Sequence, residues 1–112
     1  MKIKSGVILA GLHLKMRPAL LNADRIWWEH GQELVVTSGL EGEHSAGSWH
    51  YYGLAVDFRT RYFEDDVKQQ VFEALVKSLL DDDNFTVVFK ASPPHIHVQY
   101  ELRQSSATLT WF

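Results

Sequence analysis

Alternating apolar and polar positions predict two β-strands in the second half of the chain, at residues 54–59 and 95–100. A strand of this kind buries its apolar face and leaves the other face polar. The polar faces carry Asp57 on the first strand and His95 and His97 on the second. The apolar faces comprise Leu54, Val56 and Phe58 on one strand and Ile96, Val98 and Tyr100 on the other.

Two other stretches repeat apolar residues at helical spacing. Pro18 suits the first turn of a helix, and the repeat that follows it runs to Gly31, which suits a C-terminal cap. A second helix is predicted where acidic residues 64–66 suit the positive end of a helix dipole and apolar residues recur over 67–80. The polar run 81–84 ends this helix.

Shorter apolar runs at 34–37 and 85–89 predict two further strands. The polar segment 39–47 contains glycine and predicts a loop, and the tail 101–112 could be either an edge strand or a disordered end. The resulting order is helix, strand, loop, strand, helix, strand, strand. This order predicts an α+β fold in which a mostly antiparallel sheet packs against two helices.

Composition limits the classes of function. A chain of 112 residues with 46% apolar residues can build one core, so we expect a single domain over 1–112 and a monomer. The net charge of −3 is spread along the chain without a basic stripe, so nucleic acid is not an expected partner. Cysteine is absent, so any metal must be held by His, Asp or Glu.

We expect no segment for membrane insertion or export. No apolar run approaches the roughly 20 residues that span a bilayer. The N-terminal segment 1–12 has the basic start of a secretion signal, but His13 and Lys15 follow it and no clear cleavage site is present. We therefore expect a soluble protein without a signal peptide.

Four histidines lie where they could meet the polar face of the first alternating strand. His44 and His50 are in the central loop, and His95 and His97 share one face of the last strand. Pairing of the two strands would bring Asp57 beside them. Two neutral imidazoles and a carboxylate leave the fourth tetrahedral position open for water, which is the arrangement of catalytic zinc. His50, Asp57 and His97 are the candidate ligands.

A longer motif surrounds these ligands. Residues 41–57 read E-G-E-H-S-A-G-S-W-H-Y-Y-G-L-A-V-D, and with the later H-I-H at 95–97 they resemble the zinc site of the D-alanyl-D-alanine carboxypeptidase family of peptidoglycan peptidases. That family includes dipeptidases and phage endolysins. The pattern S-x-H-x-x-G-x-A-x-D is similar to that of hedgehog signalling domains, which share the fold. The resemblance covers about residues 36–100.

The resemblance implies a zinc metallopeptidase with a hedgehog-like fold that degrades the cell wall. Such an enzyme would reach the wall by lysin-like release or as part of a virion. Its substrate would be a peptidoglycan stem peptide. His50, Asp57 and His97 would hold Zn²⁺, and Ser48 would support the loop. The zinc would polarise the scissile carbonyl and lower the pKa of its water toward ~7.

The resemblance also implies catalytic residues around the metal. His44 and His95 would stabilise the oxyanion or orient the water. Alignment of the H-x-H as in the hedgehog branch puts Ala91 at the position of the general-base glutamate. Three explanations are open: a Glu-to-Ala substitution made in this chain, a natural zinc-binding pseudoenzyme, or a base supplied from the loop by Glu41 or Glu43. We favour the first.

Cationic residues are candidates for substrate binding. Arg59 and Lys90, and beyond them Arg61 and Arg103, could pair with a terminal or diaminopimelate carboxylate of the peptide. They do not choose between a carboxypeptidase and an endopeptidase. The leading interpretation is a zinc peptidase, and the alternative is a non-catalytic zinc-containing module that binds a peptide or a protein. A third interpretation is an α+β domain whose histidines are structural.

Overall fold

The protein is described by a computed structural model that covers residues 1–40 and 54–101. These residues form a five-stranded sheet with two α-helices, and a short 3-10 turn at Leu14–Met16 precedes the first helix. The helices are α1, Arg17–Glu29, and α2, Asp65–Ser78. The strands are β1, Lys2–Ile3; β2, Val35–Ser38; β3, Ala55–Arg59; β4, Phe85–Ala91; and β5, Pro94–Tyr100.

The strand order in the sheet is β1-β2-β3-β5-β4. Only β1 and β2 pair in parallel, and the other neighbours are antiparallel. This confirms the predicted α+β class, with a mostly antiparallel sheet and two helices. The strand β1 was not predicted, because two exposed residues carry no periodic pattern.

Helix α1 begins and ends where the sequence predicts. Pro18 lies in its first turn, where a missing N–H costs no hydrogen bond. Beyond its C-terminus, Gly31 has a φ of 84°, a left-handed conformation that glycine adopts without a steric penalty. The buried face of the helix consists of Ala19, Ala23, Ile26 and Trp27.

Helix α2 is shorter than its apolar pattern. Val71 and Leu75 are fully buried, and Leu79 is buried as the C-cap residue. Leu80 lies beyond the helix and is 65% exposed. Leu80, the last residue of the predicted apolar face over 67–80, is therefore not part of the buried face of the helix.

Both helices pack on one face of the sheet. The indole of Trp27 contacts the ring of Phe58 edge to face, with centroids 5.7 Å apart, and its Nε1–H donates to the Arg59 carbonyl at 2.9 Å. The opposite face of β3 and β5 carries their polar residues. No helix in the described ranges is long and apolar enough to cross a membrane. The fully buried residues at the centre of the two strands are Val56, Phe58, Ile96 and Val98.

Candidate metal centre

The register between β3 and β5 brings the predicted polar residues together. Asp57 lies directly opposite His97, and Arg59 lies directly opposite His95. Directly opposed residues of an antiparallel pair project from the same face of a sheet. All four residues therefore share the face away from the helices, where the side chains of Asp57 and His97 are 16% and 13% exposed.

Asp57 lies between two imidazoles. His97 donates a hydrogen bond from Nδ1 to Asp57 Oδ1 at 2.8 Å, and His95 Nε2 lies 4.0 Å from Asp57 Oδ2. His95 donates from Nδ1 to the carbonyl of Pro93 at 2.6 Å. Because a carbonyl oxygen only accepts, the Nδ1 of His95 carries the proton and its Nε2 faces the carboxylate.

A chain of polar side chains holds the far side of the His97 ring. His97 donates from Nε2 to Gln99 Oε1 at 2.8 Å, and Gln99 donates from Nε2 to Glu101 Oε1 at 3.0 Å. The hydroxyl of Thr86 donates to the same Glu101 oxygen at 3.4 Å. The Glu101 carboxylate fixes the orientation of the Gln99 amide, and the amide oxygen in turn fixes the orientation of the His97 ring. Gln99 lies on the polar face of β5 but belongs to none of the motifs in the sequence, which therefore gives no signal for this role.

The pKa of His97 is raised above its ordinary value of 6.5. Burial lowers this pKa and is the largest single influence, but the hydrogen bonds to Asp57 and Gln99 together with the Asp57 charge outweigh it. The charge of Lys90 acts in the lowering direction. Without a metal, His97 therefore holds its second proton more strongly than usual, and a metal must displace that proton.

The donor set of this face fits zinc. Asp57 and His97 present a carboxylate oxygen and an imidazole nitrogen to each other, and both are ligand types that zinc accepts. Gln99 supplies the polar partner that a metal-bound imidazole needs on its other nitrogen. Two of the three predicted ligands are thus side by side.

The remaining predicted residues of the loop, His50, His44 and Ser48, lie outside the described residues. So do Glu41 and Glu43. Within residues 1–40 and 54–101, no group of three or more His, Asp or Glu side chains is placed to hold a metal ion. The described part of the chain therefore contains two of the three predicted ligands, and the third, His50, belongs to the segment 41–53.

The hairpin of β4 and β5 determines which residues face the histidines. Lys90 lies directly opposite His95, so it shares the face of the candidate site. Ala91 lies opposite Pro94 at the end of the hairpin and has the other phase of the strand. The influence of the Lys90 charge on the pKa of His97 agrees with this placement. Of positions 90 and 91, Lys90 is in phase with the histidines, as is Val88, which lies directly opposite His97.

A cleft of about 250 Å³ opens beside Asp57 and His95. It contains Arg59, one of the predicted substrate-binding residues, whereas Lys90 is on the same face of the sheet but does not line the cleft. Arg103 lies outside the described residues. The other lining residues are Lys4, Thr37, Ser38, Arg61, Pro93 and Pro94.

Comparison with known proteins does not identify a family for this chain. Neither the models of known protein families nor the curated protein sequences contain a match.

Proposed function

We propose that this chain is a zinc metallopeptidase domain that hydrolyses a peptide bond in peptidoglycan stem peptides. The observation that carries the proposal is the 2.8 Å contact between Asp57 and His97, two residues that the motif resemblance assigns to zinc. A hedgehog-like or D-Ala-D-Ala carboxypeptidase-like fold is part of the proposal. The sheet with helices on one face and the polar cluster on the other supports it. The place of action would be the cell wall.

Different residues of the chain would bind the metal, position its ligands and contact the substrate water. His50, Asp57 and His97 would hold Zn²⁺, which when bound polarises the scissile carbonyl and activates a water molecule. Gln99 keeps the His97 ring in place through its Nε2 proton. His95 directs Nε2 toward the site because its Nδ1 proton is bonded to a carbonyl. From there it could hydrogen-bond the water or, when protonated, an oxyanion.

The segment before the last histidine does not supply the general base. Hydrolysis needs a group that accepts the proton of the attacking water, and a carboxylate is the usual choice in such peptidases. The segment 88–95 contains no Asp or Glu, and neither Ala91 nor Lys90 supplies a carboxylate. The resemblance selects position 91 for the lost glutamate, whereas the register between β4 and β5 favours position 90.

Restoring a carboxylate tests the proposal. Zinc-loaded samples of the parent chain, Ala91→Glu and Lys90→Glu would be incubated with purified peptidoglycan and with defined stem peptides, and product masses would be read. We expect no cleavage by the parent and cleavage by the variant whose glutamate faces the metal, with Lys90→Glu favoured by the register. Lys90→Gln is the matched control, because it removes the same charge without adding a base. The product masses separate a carboxypeptidase from an endopeptidase.

A non-catalytic zinc-containing module that binds a peptide or protein is the second candidate. The absence of a carboxylate at positions 90 and 91 is the observation that favours it. Bound zinc without cleavage by either glutamate variant would reject the peptidase and leave this candidate. Absence of zinc from the purified chain after zinc loading would reject both, and would leave histidines with structural roles. Elemental analysis of the same samples gives the zinc content.

A further inference from the structure

We propose that Lys4, Arg59 and Arg61 form a subsite for a carboxylate group of the peptide substrate. The inference rests on the proposed peptidase function and specifies its substrate: a peptide with a carboxylate close to the scissile bond. The sequence makes Arg59 and Arg61 candidates for pairing with a carboxylate, but it does not show that they lie together or that Lys4 joins them. The fold gathers them into one cleft beside the candidate metal centre.

The three cations reach the cleft from different segments. Lys4 follows β1, Arg59 is the last residue of β3, and Arg61 lies two residues further on. Asp57 and His95 line the same cleft. A carboxylate held by the cations would therefore lie next to the residues that surround the proposed zinc.

The charge of the cleft favours an anion. Among residues 1–40 and 54–101, its lining carries three cationic side chains and one carboxylate, that of Asp57, in a protein whose net charge is −3. That carboxylate is already engaged by His97. Lys4, Arg59 and Arg61 form no ion pair with a carboxylate anywhere in the described ranges 1–40 and 54–101. An excess of positive charge in a concave site concentrates anions there.

The size and chemistry of the cleft suit a carboxylate group. At about 250 Å³ it is smaller than the roughly 300–1,000 Å³ of clefts that hold drug-sized ligands, so it suits one small part of a substrate. Guanidinium groups match the planar, two-oxygen geometry of a carboxylate. A stem peptide can offer such a group in two ways, as its C-terminus or as an acidic side chain.

Calorimetric titration can test the subsite without turnover in the zinc-loaded parent chain, because its segment 88–95 carries no carboxylate to act as the base. One probe is an acetylated peptide ending in D-Ala-D-Ala with a free carboxylate. A second is its C-terminal amide, and a third is an amide-terminated peptide with a glutamate side chain. We expect the free acid to bind more tightly than the plain amide. Tight binding of the third probe would identify the side-chain carboxylate as the source.

Substitution of the cations completes the test. Arg59→Gln, Arg61→Gln and Lys4→Gln should each weaken the binding of the carboxylate probe about tenfold, the loss expected for one charge-assisted hydrogen bond. Binding of the plain amide should be unchanged. The matched control is Lys77→Gln, an equal loss of charge on α2, across the sheet from the cleft.

Three results would overturn the subsite: equal binding of acids and amide to the parent, unaltered binding by all three cleft variants, or no binding of any probe. Zinc content and cleavage by Lys90→Glu or Ala91→Glu, measured alongside, separate this failure from that of the proposed function. Bound zinc and cleavage by a glutamate variant, without any dependence of binding on a carboxylate, would reject the subsite alone. Absence of both zinc and cleavage would reject the proposed peptidase function.

Discussion

Asp57 is the residue around which the candidate site is arranged. One of its oxygens accepts the Nδ1 proton of His97 at 2.8 Å, and the other faces His95 Nε2 at 4.0 Å. It is the one acidic residue on the polar face of β3. Its removal would take away both a proposed zinc ligand and the partner that orients His97.

Zinc content after substitution separates the proposed ligands from their neighbours. His50→Ala, Asp57→Ala and His97→Ala should each lose bound zinc, because three protein ligands are the minimum of a catalytic zinc site. His44→Ala and His95→Ala should keep it and change activity in a glutamate-restored background. Elemental analysis after dialysis gives the result. Equal loss of zinc in all five variants would contradict these assignments.

Gln99 is predicted to tune the metal affinity without touching the metal. Gln99→Ala removes the acceptor for His97 Nε2, so zinc affinity should fall about 10–100-fold. Competition with a chelator of known affinity measures the change. Gln69→Ala is the matched control, because its amide bonds Glu73 on the exposed surface of α2. Unaltered affinity in Gln99→Ala would exclude the positioning role.

The raised pKa of His97 predicts a pH dependence of the metal-free chain. Burial lowers this pKa, but the bonds to Asp57 and Gln99 more than offset it, so the folded state holds the proton more tightly than the unfolded state. The resulting stabilisation is complete below the ordinary value near 6.5 and is lost as the pH rises through the folded-state pKa. In urea unfolding with chelator present, the advantage of the parent over Asp57→Asn should shrink as the pH is raised. A constant difference would contradict this.

The residues of the site could be predicted only in part from the sequence. The period of two places Asp57 and His97 on the polar faces of their strands, and the structure confirms that these faces coincide. The phase of Lys90 and Ala91 depends on how β4 aligns with β5, which the hairpin determines. The contact of Gln99 with Glu101 likewise requires the folded strand.

At the level of elements, periodicity was enough where an element has a long buried face. Both helices and the alternating strands have such a face, and their positions agree with the prediction. Strand β1 forms because the N–H of Lys2 donates to the Leu34 carbonyl at 2.7 Å, a contact between segments that no local pattern encodes. The end of α2 was predicted too late, because Leu80 continues the apolar pattern but is exposed.

Paired leucine substitutions test the packing of α2. Leu75 is fully buried in the core, so Leu75→Ala should reduce the free energy of unfolding by about 2–5 kcal/mol. Leu80→Ala removes the same atoms from a residue that is 65% exposed and should change it by less than about 0.5 kcal/mol. Urea unfolding followed by tryptophan fluorescence measures both. Similar losses in the two variants would mean that the helix packs differently.

In the whole molecule, the hydrophobic core and the candidate metal centre lie on opposite faces of the sheet. One face of β3 and β5 packs against the helices and supplies the core, while the other face presents Asp57, His95 and His97. We therefore expect the core to form without the metal. A zinc finger is the opposite case, because its core is too small to fold without the ion.

Removal of the metal should consequently lower stability without unfolding the chain. In excess chelator, the circular dichroism spectrum should be retained and thermal unfolding should stay cooperative, because the buried residues around Trp27 and Phe58 are unaffected. Added zinc should raise the stability by about 2.7 kcal/mol at a free concentration one hundred times its Kd, since it binds only the folded site. Asp57→Ala should abolish this increase. Loss of the cooperative transition on chelation would show that the metal holds the fold together, and the separation of the two faces would then be wrong.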